Sequence, residues 1–109
     1  MTRMPFLQKT LNAFEMTKRE AACEIVALLQ GCKAFVAIYP PRPEEGYPRW
    51  FVLRFEVRAE QLDEYLAEED LRNSQLLYLN SIEEVESVPL QWGVDPSKLD
   101  APWKCDYPL

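Results

Sequence analysis

The chain has 109 residues, 48% of them hydrophobic and 28% charged, with a net charge of −6. That length suits one domain, because a second would be too small to bury a core, and the composition is that of a folded chain. Bulk negative charge disfavours unspecific nucleic-acid binding, which draws its affinity from neutralising phosphates, and no apolar run approaches the roughly 20 residues of a membrane-spanning helix.

The first residues, MTRMPFLQKT, hold no long apolar segment of a secretory signal. Phe6 to Phe14 is expected to form a short helix with Leu7, Leu11 and Phe14 on one side; a strand around Thr10–Phe14 is the competing reading. Thr17 to Gln30 carries the best helical pattern. Thr17 and Glu20 have capping-box spacing, Ala22, Ile25, Val26 and Leu29 form a stripe of helical period, and Gly31 stands where a left-handed stop belongs.

Cys32 to Tyr39 is nearly all apolar and predicts a buried strand. Four prolines and one glycine in Pro40–Pro48 exclude a regular element and stiffen a wide hairpin loop. Arg49 to Arg58 follows as the clearest strand. Phe51, Leu53, Phe55 and Val57 fall on one face, expected to be buried, and Arg54, Glu56 and Arg58 fall on the other. Arg58 to Leu66 predicts a second helix, Gln75 to Leu79 a third strand, and Ile82 to Val88 a short helix capped by Ser81 and Glu84 and stopped by Pro89.

These elements imply an α+β two-layer sandwich over residues 6–88. Its three-stranded, mainly antiparallel sheet takes the order 2-1-3, set by a right-handed crossover. Two main helices cover one face. The segment 89–109, with Trp92, Trp103 and Tyr107, is expected to lie extended on that body as part of the same domain.

Chemistry is sparse. The chain has no histidine, which removes the common nucleophilic triads and the commonest metal ligand. Cys23, Cys32 and Cys105 are odd in number and form no CxxC pair. They point to reduced thiols in a cytoplasmic protein, and to neither a disulfide framework nor a zinc site. There is no glycine-rich phosphate loop, so no cofactor is expected. Cys105, between Lys104 and Asp106, is a weak nucleophile candidate that would need another group to lower its pKa.

The charge is uneven. Residues 1–58 carry +3, whereas residues 60–86 hold nine carboxylates against Arg72 alone, giving −8. Acidic clusters such as Glu68, Glu69 and Asp70 read as solvated helix ends that would meet a basic partner by long-range attraction. The loop Arg42–Trp50 adds Arg42, Tyr47, Arg49 and Trp50, residue types that dominate interface hot spots. The sequence therefore implies a non-catalytic protein-binding module of inhibitor or adaptor type. A pocket for a small ligand under the tail, lined by Trp92, Trp103 and Tyr107, is the alternative. Homodimerisation through the 49–58 strand, if it lies at the sheet edge, is a further expectation.

Overall fold

The two strands flanking the proline-rich loop pair as a hairpin and form the centre of the sheet. In the computed structural model, which describes residues 6–62 and 66–109 apart from the side chain of Glu68, β2 (Cys32–Tyr39) and β3 (Trp50–Arg58) are antiparallel. Phe35 stands opposite Phe55 and Tyr39 opposite Phe51. The sheet has four strands, not three. β1 (Ala21–Ile25) pairs with the outer side of β2 and β4 (Arg72–Leu79) with the outer side of β3, both antiparallel, in the order β1-β2-β3-β4.

The expected order 2-1-3 is thus replaced by a meander. A crossover past β3 needs a helix long enough to span the sheet. The described parts of the segment after β3 offer only 3-10 turns at Ala59–Gln61 and Glu68–Asp70, so the chain returns beside β3. Residues 63–65, within the expected helix Arg58–Leu66, lie outside the described residues.

The larger correction concerns Thr17–Gln30, which is a strand and a loop. The Thr17 hydroxyl bonds backward to the Ala13 carbonyl at 3.0 Å and caps nothing ahead of it. Glu20 pairs with Arg42 at 3.2 Å. Ala21, Cys23 and Ile25 alternate as well as they repeat at helical spacing, and pairing with β2 decides between the two periods. Gly31 does take a left-handed conformation, at φ +78°, but in the turn between β1 and β2.

Both faces of the sheet are covered. On one face Val36, Ile38 and Val52 pack with Cys23, Phe6, Phe14, Val85, Val88, Val94 and Leu99. The helices α1 (Gln8–Asn12) and α2 (Ile82–Gln91) flank this side, and a π-turn at Ala13–Thr17 extends α1. The predicted N-cap of α2 is present, with Ser81 Oγ accepting from the Glu84 amide at 3.3 Å and Glu84 Oε2 accepting from the Asn80 amide at 2.8 Å. Pro89 does not stop this helix. It lies inside it, where only one interior amide is lost near the last turn.

The opposite face carries Phe35, Phe55 and Val57, packed by Leu62, Leu66, Leu71, Cys105 and Tyr107. Phe55 and Val57 are buried as expected, but the main helices cover the even-numbered side of β3, around Val52, and not the odd-numbered side. Fully burying side chains of this size contributes about 1.5–3 kcal/mol each.

Residues 93–109 join the two faces. Val94 and Leu99 are buried on the helix side. Asp100 then bridges the outer edge of β1, accepting from the Ala22 amide at 2.8 Å and donating to the Ala22 carbonyl at 3.1 Å. Beyond it Tyr107 lies against Phe35 and Phe55 on the far side, and its hydroxyl meets that of Tyr39 at 2.6 Å. The tail is therefore a strap around the β1 edge, folded into 3-10 turns at Pro96–Lys98 and Pro102–Lys104.

Candidate functional site

The end of the sheet nearest the proline-rich loop presents a row of aromatic rings that is only partly buried, with Tyr107 of the strap reaching no further than Tyr39 among them. The Tyr39 and Phe51 rings stack at 4.4 Å and 10°. Tyr47 lies 5.8 Å from Phe51 on one side and Tyr78 of β4 lies 5.9 Å away on the other. The Arg49 guanidinium sits 5.7 Å over the Tyr78 ring. It also donates to Asn80 Oδ1 at 3.1 Å and to the Tyr78 carbonyl at 3.3 Å. Tyr47 and Tyr78 are each 51% exposed, and Leu76 beside them is 47% exposed.

The loop that delivers Tyr47 and Arg49 is held firmly. The amide of Tyr47 bonds to the Arg42 carbonyl at 3.0 Å, and the Arg42 amide returns the bond at 2.6 Å. A 3-10 turn, Pro43–Glu45, fills the space between. The Arg42 side chain ties the loop to the body, donating to the Lys18 carbonyl at 2.7 Å and to Glu20 at 3.2 Å. A surface ordered before binding loses less entropy on docking.

The residues singled out in the sequence separate accordingly. Tyr47 and Arg49 lie on the aromatic face. Arg42 anchors the loop. Trp50 points to the other side of the sheet, half-buried, with its ring 5.3 Å from Phe14 in an edge contact. Glu69 is exposed, between Leu66 and Leu71 of the segment that covers Phe35 and Phe55. Asp70 accepts from the Ala67 amide at 2.8 Å and from Gln61 at 3.3 Å, which makes it a turn residue. The side chain of Glu68 lies outside the described residues. Sequence reasoning missed Leu76 and Tyr78 as exposed residues, and Tyr39 and Phe51 as the partly buried rings beside them. Their alternation marks one face of β2, β3 and β4, but only the register brings them together at one end of it.

A second built feature lies at the opposite end of β3. Glu56 is fully buried and accepts from the amides of Leu28 and Leu29 at 3.0 and 2.9 Å and from Asn73 at 3.1 Å, with Arg54 at 3.5 Å. Burial opposes its charge, but these donors outweigh burial and hold the carboxyl below its usual range. The carboxylate pins the β1–β2 loop, whose Val26 and Leu28 are 87% and 74% exposed.

The three tail aromatics expected to line one pocket lie in three places. Trp92 packs on the helix-side core, Trp103 is exposed with Arg19 6.0 Å from its ring, and Tyr107 lies on the far face. A groove of about 670 Å³ does exist elsewhere, between α1, Trp50, Ile82 and the proline-rich loop. Burial pushes the Cys23 thiol up to about 12 and raises that of Cys105, so neither is poised as a thiolate. Among the described residues no group of three His, Cys, Asp or Glu side chains could hold a metal ion, and no helix is long and apolar enough to cross a membrane. No protein-family model matches the chain, and neither a curated protein nor a solved structure matches it at a significant level.

Proposed function

We propose that this chain is a non-catalytic protein-binding module that docks a basic partner on the face carrying Tyr47, Arg49, Phe51 and Tyr78. The observation that carries the reading is the half-exposed aromatic row on a pre-ordered loop and strand. Tyr and Arg supply much of the binding energy at protein interfaces. The same sheet face bears, at its other end, the segment with Glu60 and Glu69. A partner lying along the face meets rings at one end and negative charge at the other, and that charge accelerates encounter with a basic surface. Free Cys23, Cys32 and Cys105 fit a reducing, cytoplasmic setting.

The test is affinity capture from a native extract at low and high salt, comparing the wild-type chain with Tyr47→Ala/Tyr78→Ala. The reading predicts a basic protein retained at low salt, weakened by salt and lost by the double variant. Equal capture by both chains, or an acidic partner insensitive to salt, overturns it.

A further inference from the structure

The sheet has two edges, and they are treated differently. The β1 edge is closed by Asp100 through two backbone hydrogen bonds. Among the described residues no segment pairs with the outer edge of β4. That strand runs RNSQLLYL, with a single charged residue, Arg72, and no proline. Leu76, Leu77 and Tyr78 are 47%, 39% and 51% exposed on its two sides. Solitary proteins blunt such edges with charges, proline or a cover. Here, among the described residues, the devices that blunt the edge are the Arg72 charge and a bulge at Asn73, at φ +50°, where the register shifts between Arg54 and Glu56. The bulge disturbs the start of the strand and leaves Gln75–Leu79 in regular register.

We infer that β4 is the seam of a two-fold homodimer, in which two copies pair antiparallel through this strand into a continuous eight-stranded sheet. Charge selects a second copy as the occupant. Arg72 stands opposite Glu56, hence on the side of the sheet where α2 packs. Glu83 and Glu84 lie in the first turn of α2, just beyond the other end of β4, and both are exposed. Antiparallel pairing carries the Arg72 of each chain to the Glu83 end of the other, twice per dimer; parallel pairing would gather like charges. Side chains directly opposite in an antiparallel pair share a face. With Leu76 on the axis, Ser74 faces Tyr78 of the second copy, Gln75 faces Leu77, and Arg72 arrives beside Asn80. Such an interface is self-complementary and closed, so assembly stops at two.

This inference does not depend on the proposed partner, which docks on the aromatic face and not on the backbone edge. Sedimentation velocity over a range of concentrations tests it. The wild-type chain is expected to shift from monomer to dimer and no further. Leu77→Lys, a surface charge that leaves the core intact, is expected to weaken the dimer by roughly tenfold or more, with an unchanged melting temperature at low concentration as the folding control. Arg72→Glu is expected to weaken it several-fold, and Arg72→Glu/Glu83→Arg to restore it. A wild-type chain that stays monomeric throughout its soluble range, a dimer indifferent to Leu77→Lys, or a double swap no better than Arg72→Glu alone overturns the inference.

Discussion

The two edges of the sheet show how one chain can finish a sheet in two ways. At β1 the strand is short, the residues are small, and the tail comes back to bond with Ala22 and bury Leu99 beneath it. At β4 the strand is longer, its side chains are largely exposed, and the chain leaves through an ordinary capped helix. The first edge is completed from within the molecule, so its stability depends on residues far along the sequence. Among the described residues nothing completes the second, which keeps exposed apolar side chains and is free to be completed from outside.

If that contrast is right, damage at the strap should cost far more stability than damage at the bare edge. The largest effect overall is expected at neither edge but within the sheet, for Glu56→Ala. Glu56 links the β1–β2 loop to Asn73 of β4, and its loss leaves two amides and the Arg54 charge without their partner. Breaking such a buried set costs about 3–5 kcal/mol, read as the midpoint shift in urea unfolding. Leu99→Ala, which hollows the core under the strap, should cost about 2–5 kcal/mol. Tyr107→Phe removes the hydroxyl contact with Tyr39 and should cost about 0.5–1.5 kcal/mol. Leu76→Ala on the bare edge should stay within about 0.5 kcal/mol when measured at low concentration.

Acid sharpens the same contrast. Glu56 is held below its usual pKa by its donors, after they overcome burial, and Asp100 is held low first of all by Lys9, whose Nζ lies 2.8 Å away. Depressed carboxyl groups contribute stability that is fully present above their unfolded values of about 4 and is lost as pH falls through the lower folded values. Unfolding free energy should therefore be flat near neutrality and fall below about pH 4. Asp100→Asn should reduce that slope at the strap, and loss of the Asn73 side chain should reduce it at Glu56, whereas substitutions at Leu76 or Leu77 of β4 should leave it unchanged. A Leu76→Ala chain with an altered acid slope would contradict this division.

Much of the centre of the fold was legible in sequence. The proline-rich loop could only be a connection, the alternation in Arg49–Arg58 could only be a strand, and the Ser81/Glu84 cap started a helix where the spacing placed it. The failures share one cause. Ala21, Ala22 and Cys23 fit a helical stripe and an alternating strand equally well, and what decides is pairing with β2 on one side, closed on the other by Asp100, far downstream, bonding to Ala22. Likewise Val26 and Leu29 look like a core stripe until Glu56 pins their loop outward. The site was half legible: Tyr47 and Arg49 stood out by composition, whereas Tyr78 and Leu76 became surface residues only through the register of β4 against β3.

Hydrogen–deuterium exchange of the β1 and β4 segments, followed at dilute and concentrated protein, tests the difference between the edges most directly. The Ala22 amide, bonded to Asp100, is predicted to exchange slowly at every concentration, and the outward amides of β4, those not bonded to β3, to gain protection only as concentration rises. Equal exchange of the two edges in dilute solution, or outward β4 amides whose protection ignores concentration, would contradict it.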